Sequence, residues 1–233
     1  ALVAKEPPSR APRQTLGEML AVFKQKDCIW FCVIYAVTFG GFVGFASFLS
    51  IFFYDQYSLS KLQAGNFTAL CVFAGSFFRP VGGYLADRYG GYAVLRILLG
   101  FVLISLGALG FLPPFQAAIL LFFLLMSALG LGNGSVFQMV PQRFSKEIGR
   151  VTGIVGAVGG LGGFLLPSLL GFVKGQWGSF GPGFWLLGIF VGGAFFALLR
   201  VHQNTLRYRA ALSNASHPLG STSLRQSTVP ATE

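Results

Sequence analysis

The stretch GSFFRPVGGYLADRYGG, residues 75–91, places Arg79 inside a run that otherwise reads as a membrane-crossing helix. A cation near the middle of a bilayer is costly, and such residues mark ion or substrate paths. The fold therefore turns on whether the surrounding chain is built for lipid.

Composition says that it is. Of the 233 residues 54% are hydrophobic and only 10% are charged, against roughly 25% charged in a soluble domain. Mean hydropathy is +0.67. The 26 phenylalanines and 32 glycines suit a helical membrane protein, in which glycine lets helices approach closely. The net charge of +10 is spread between apolar runs rather than gathered on one face. It indicates positive loops beside a lipid bilayer, and no nucleic acid is expected as a partner. Cys28, Cys32 and Cys71 lie in or beside apolar runs without metal-ligand spacing, so neither a disulfide framework nor a metal or other cofactor is implied. Both histidines, His202 and His217, fall near the C-terminus, and no nucleophile–base set is visible, which argues against an enzyme.

Apolar runs of about 20 residues mark spanning helices. Six are expected, at about 29–53, 64–86, 92–112, 115–139, 151–173 and 181–200. The chain reads as an all-α membrane protein with a basic linker over 1–27, a six-helix domain over 28–200 and a polar, Ser/Thr-rich, disordered tail over 201–233. The opening ALVAKEPPSRAPRQTLGEML has neither an initiator Met nor a signal-peptide core, as if the chain began mid-protein. Under this topology fourteen basic residues lie on one side: Lys5, Arg10, Arg13, Lys24, Lys26, Arg88, Arg96, Arg143, Lys146, Arg150, Arg200, Arg207, Arg209 and Arg225. Lys61 and Lys174 lie on the other. The positive-inside rule then puts both termini in the cytoplasm, with the protein multi-pass in the cytoplasmic membrane.

Arg79 belongs to neither group. Seven residues back from Ala86, at 1.5 Å each, its Cα lies roughly 10 Å inside a core about 30 Å thick. All seven Asp and Glu fall in loops, ends or flanks, so no carboxylate within a span can pair with it. A buried cation without a fixed counter-ion implies a mobile one, and a guanidinium's planar fork suits a flat oxyanion. The alternative is a structural arginine bonded to carbonyls of a neighbouring helix.

Glycines surround it. In VTGIVGAVGGLGGFLLP (151–167), Gly153, Gly156, Gly160 and Gly163 share one helical face, with Gly159 at its edge. That face serves helix packing or exposes backbone to a ligand. GLGNGSVFQMVPQRF (130–144) puts Asn133, Ser135 and Gln138 at membrane depth, with Asn133 the candidate for lining a path. IYAVTFGGFVGFASF (34–48) stacks Tyr35 and Phe39 at i, i+4. Glycine clusters recur in the first span (Gly40, Gly41, Gly44) and the fourth (Gly130, Gly132, Gly134), the pattern of a 3+3 inverted repeat.

These motifs resemble a known family. GGYLADRYGG (82–91) is similar to the cytoplasmic-loop motif of the major facilitator superfamily, with Gly82 or Gly83, Asp87 and Arg88 in its helix-holding roles. GIVGAVGGLGGFLLP resembles the signature of the nitrate/nitrite porters within that superfamily, and GNGSVFQMVPQRF and FFRPVGG agree with it. The resemblance covers about residues 15–200 and corresponds to the C-terminal six of twelve helices. It implies a nitrate and nitrite transporter in which Arg79 is one of two anion-binding arginines, Tyr35 and Phe39 line the pocket, and Gly159 and Gly160 lie in the segment that closes over the anion. It also implies a missing N-terminal six-helix half, on the same or a separate polypeptide, without which rocking transport cannot occur. Two alternatives stand beside it: another small anion on the same scaffold, and a non-transporting membrane assembly module.

Overall fold

The computed structural model describes residues 26–144 and 147–215. Almost all of the expected linker and the end of the tail lie outside these. Among the described residues the chain is helical with short turns, and six helical segments are long and apolar enough to cross a membrane: Cys28–Tyr57, Lys61–Tyr89, Gly91–Leu109, Phe115–Arg143, Ile148–Trp177 and Gly181–Arg200. They coincide with the six expected spans; the first, second, fourth and fifth run longer, the third ends earlier and the sixth has the expected bounds. Thirty residues extend about 45 Å, beyond a hydrocarbon core of about 30 Å. Asp55 and Asp87 thus fall within helices, in the final turns of the first and second spans. This corrects the expectation that every acidic residue lies outside them.

Two spans are interrupted. The first consists of α1 (Lys26–Tyr35), a π-helical turn (Ala36–Gly40) and α2 (Gly41–Tyr57). The second consists of α3 (Lys61–Phe77) and α4 (Arg79–Tyr89), joined at Phe78. Pro80 causes that break, because its ring removes an amide donor and crowds the preceding turn. Ser60 and Gln63 form a capping box that fixes where α3 starts. The remaining helices are α5 (Gly91–Leu109), α6 (Phe115–Arg143), α7 (Ile148–Trp177) and α8 (Gly181–Ala215). Gly90, at φ +86°, makes the tight turn into α5.

The sixth helix continues to Ala215, into the stretch expected to be a disordered tail. Residues 201–211 contain neither Gly nor Pro, the residues least suited to a helix interior. Ser/Thr enrichment begins only beyond them.

The second span packs along the fourth, and the fifth packs along the first; the third and sixth pack on each other. Exchanging spans one to three with four to six preserves this arrangement. The helices thus form a six-span bundle with the arrangement expected of a 3+3 inverted repeat. The first span is most enclosed, with 67% of its apolar window buried against 28% for the second. Large apolar residues such as Phe73, Ile104, Phe164 and Ile189 stay exposed. Phenylalanines fill the core between spans one, four and six, where Phe52 meets Phe122, Phe180 and Phe184 edge-on, each 5.3 Å between ring centres.

Glycines set the two tight helix pairs. A Cβ on Gly130 would overlap the Gly75 carbonyl, one on Gly134 the Arg79 carbonyl, and one on Gly82 the Leu131 carbonyl. Ser135 Oγ, lodged between α4 and α6, reaches the Gly82 carbonyl at 3.0 Å and the Leu131 carbonyl at 2.9 Å. At the equivalent pair, Gly40 abuts Gly159 and Gly162 backbone, and Gly163 packs on Val43. The expected glycine face of α7 is therefore divided. Gly159, Gly162 and Gly163 meet the first span, while Gly153, Gly156 and Gly160 have nothing within 4 Å of an added Cβ.

Each tight pair is tied at one end by a polar contact. Gln138 Nε2 on α6 donates to Asp87 Oδ1 on α4. Lys174 on α7 pairs with Asp55 on α2 at 2.5 Å. The inverted repeat exchanges these two ties. Arg88 instead donates to Tyr84 at 3.1 Å and lies over the Tyr89 ring, so of the loop motif Gly82 and Asp87 meet the fourth span while the Arg88 contacts stay within its own.

Replacing Gly82 by Ala forces its methyl into the Leu131 carbonyl and is expected to destabilise the detergent-solubilised protein by about 1–3 kcal/mol. Gly171→Ala, on α7 where nothing crowds an added Cβ, should be neutral or mildly stabilising through helix propensity. Thermal unfolding of both variants tests this; equal melting temperatures would contradict the packing.

Candidate anion site

Arg79 is the first residue after the break at Phe78, four residues from the midpoint of the Lys61–Tyr89 span. That offset is about 6 Å along a straight helix. Its backbone is held by the contact of its carbonyl with Gly134 on α6, which aims the side chain toward the first span. The guanidinium carbon lies 4.5 Å from the Phe42 ring centre and 5.7 Å from that of Phe39. Its Nε is buried without a hydrogen-bond partner, and among the described residues no carboxylate pairs with it. Aromatic faces attract a cation by about 2 kcal/mol when desolvated, but they leave its donors unsatisfied. The side chain is partly exposed, so the charge is held by rings on one side and remains available on the other.

The π-helical turn builds the opposing wall. It carries Thr38 and Phe39 and directly follows Tyr35. Tyr35 and Phe39 stack with ring centres 5.0 Å apart and planes 5° from parallel, and Phe137 of α6 meets Tyr35 edge-on at 5.0 Å. A Cβ on Gly159 would come within 2.6 Å of the Tyr35 ring and 3.0 Å of the Phe39 ring. The glycine thus lets α7 seat directly against this aromatic pair. π-turns of this kind recur at functional sites because the extra residue redirects side chains.

The structure therefore joins Arg79, Phe39, Tyr35 and Gly159 in one chain of contacts across spans one, two and five. Asn133 is 3% exposed, and neither its amide oxygen nor its nitrogen has a hydrogen-bond partner. It adjoins Gly132, which abuts Thr38, and Gly134, which abuts Arg79. Gly160 stands apart, exposed on the open flank of α7. Sequence reasoning missed Phe42, Thr38 and Phe137. Phe42 lies three residues after Phe39 and so on nearly the same helical face, a spacing that could have suggested it. Thr38 Oγ1 is buried without a partner, giving three orphaned polar side chains (Thr38, Arg79, Asn133) in the interior of one half-bundle. Orphaned polar atoms are costly in a dry core and fit a surface that receives a polar guest.

The described residues thus give a six-helix bundle with glycine-packed helix pairs and a cation without a carboxylate partner facing aromatic rings. The chain is a member of the Major Facilitator Superfamily, whose family model matches residues 31–226. It is 34% identical over 203 residues to the "Probable nitrate transporter NarT" of Staphylococcus epidermidis, covering 85% of this chain and 50% of that protein. It is 38% identical over 175 residues to the "Nitrite extrusion protein" of Bacillus subtilis, covering 73% of this chain and 43% of the relative. Identity to the "Probable nitrate/nitrite antiporter NarK1" of Thermus thermophilus is 32% over 166 residues, or 63% and 38% of the two chains. The chain spans about half the length of these relatives or less. They support the nitrate/nitrite porters as its branch of the superfamily, and all three are described as moving ions rather than as enzymes.

Gly159→Ala should displace the Tyr35–Phe39 pair and lower the melting temperature of the solubilised protein, by about 1–3 kcal/mol of stability. Gly160→Ala, one residue on, should not. Indistinguishable unfolding curves for the two would mean that Gly159 does not seat the rings.

Proposed function

We propose that this chain is the C-terminal half of a nitrate/nitrite transporter that works by alternating access, with Arg79 binding the anion near the membrane midplane. The observation that carries this reading is the Arg79 guanidinium, set against Phe39 and Phe42 with a buried, unpartnered Nε and no carboxylate neighbour. The printed descriptions of the relatives supply the anion. Nitrate is planar and singly charged, and its oxygens match the parallel donors of a guanidinium. Phe39 and Phe42 form the wall behind the cation, Tyr35 supplies a hydroxyl, and Asn133 contributes an amide from α6.

The missing N-terminal half provides the second wall and a second cation. Gly153, Gly156 and Gly160, bare and uncovered, form the surface along which that half packs and moves, while Gly159 seats the Tyr35–Phe39 wall of the pocket. An empty pocket keeps unpaired positive charge, which resists burial; an occupied one is neutralised and can close. Such coupling favours exchange of one anion for another. The basic ends of the helices face the cytoplasm, with both termini on that side of the cytoplasmic membrane.

Arg79→Lys keeps the charge but loses the fork. In the two-half transporter reconstituted in vesicles it should weaken nitrate binding at least tenfold, since hydrogen bonds to charged groups contribute about 1.5–3 kcal/mol. Arg79→Ala should abolish saturable uptake. Normal nitrate uptake by the Lys variant would overturn the bidentate role. Equally strong competition by formate would shift the substrate class to small carboxylates.

A further inference from the structure

At the basic end of the bundle, α5 and the end of α8 part to leave a shallow open groove enclosing about 40 Å³, lined by Tyr92, Ala93, Arg96, Leu198, Leu199 and His202. It lies on the third and sixth spans, away from the anion site, and the transport reading does not use it. Tyr92 and Arg96 are one helical turn apart and share a face of α5. His202 lies two residues beyond Arg200, where the apolar span ends. The groove is therefore at the depth of the membrane–water interface, where tyrosine and arginine anchor.

Its lining is divided. Ala93, Leu198 and Leu199 are apolar, while Arg96 is exposed and contributes a full positive charge. Among the described residues no carboxylate lines it. The His202 ring packs on Tyr92 with centres 5.2 Å apart, and its Nδ1 is buried without a hydrogen-bond partner. The first turn of α5 adds the positive end of a helix dipole. The nearby Arg200 is drawn aside over the Phe196 ring, at 4.7 Å, and does not line the groove.

A cation, an unsatisfied ring nitrogen and a helix start beside an apolar strip at interfacial depth match one ligand chemistry: a phosphodiester carrying a net negative charge and attached to acyl chains. We propose that this groove binds the headgroup of an anionic phospholipid of the adjoining leaflet. Arg96 forms a bidentate contact with the phosphate, the His202 ring turns to bring its covered Nδ1–H to it, and Leu198 and Leu199 cover the glycerol end. Basic pockets between spans are known to hold such headgroups. The proposal rests on the spans being membrane-embedded but not on which anion is transported.

The test is native mass spectrometry of the purified full chain, exchanged against phosphatidylglycerol or phosphatidylcholine with matched acyl chains. Phosphatidylglycerol should be retained about fivefold more strongly than phosphatidylcholine. Arg96→Ala and His202→Ala should each lower that retention, Arg96→Ala by about fivefold, the factor expected for one basic residue at a charged membrane surface. Arg200→Ala and Lys61→Ala, which remove equal charge outside the groove, should leave it largely unchanged. Equal retention of the two lipids, or a loss with Arg200→Ala as large as with Arg96→Ala, overturns the site. Displacement of phosphatidylglycerol by millimolar inorganic phosphate would assign the groove to a free phosphate and overturn the lipid. No nitrate enters the measurement, so its failure and that of the transport reading are separable.

Discussion

The approach of α6 to α3 and α4 leaves no room for side chains between Gly75 and Gly130, between Gly82 and the Leu131 carbonyl, or between Gly134 and the Arg79 carbonyl. Everything at the candidate site depends on that closeness. Lipid tails are as apolar as leucine, so helices in a membrane gain little from hiding hydrophobic surface and must associate through intimate backbone packing. Here the packing also fixes the residue after the Pro80 break, and with it the direction of Arg79, which lies well inside the second span. A single added methyl at Gly134 would push on the arginine's own peptide group. Packing and charge placement are one constraint in this protein, not two.

The corresponding contact in the other triplet, where Gly40 meets Gly159 and Gly162, lies beside the π-helical turn. The two irregularities of the bundle, a proline break and a π-turn, thus fall on the two spans that share the arginine–aromatic contact. Each carries a buried side-chain atom without a hydrogen-bond partner, Thr38 Oγ1 on the π-turn and Arg79 Nε just after the proline break. The result is a local collection of polar atoms without partners, among well-packed phenylalanines. Such strain is retained where something intermittent relieves it.

Much of this was legible in the residues. Six apolar runs of bilayer length, the scarcity of acidic residues and the isolation of Arg79 follow from hydropathy and charge alone. The residues YAVTF, FFRPVGG and the glycine signature pointed to Arg79, Tyr35, Phe39 and Gly159, which the structure places in contact. Other features were not legible. A stripe of glycines says that something can come close but not from which side, so Gly153, Gly156 and Gly160 were grouped with Gly163 although only Gly163 meets a neighbour. The π-turn has no composition of its own and arises from how the first span seats against α7. Phe42 looked like any other phenylalanine among 26 until the arginine lay over it. The extension of the sixth helix to Ala215 was hidden by the polarity of its residues, which suits water-exposed helix as well as disorder.

The contacts Asp87–Gln138 and Asp55–Lys174 lie at opposite ends of the bundle, and each bridges one triplet to the other. As exposed pairs they add little to the energy of folding, about 0–1 kcal/mol for the charged one. Their mechanical effect is of another kind. Two struts placed at diagonal corners oppose scissoring, since opening either corner by shear stretches one of them. A body braced in this way passes torque from end to end without folding in the middle, and so turns as a lever rather than bending as a hinge.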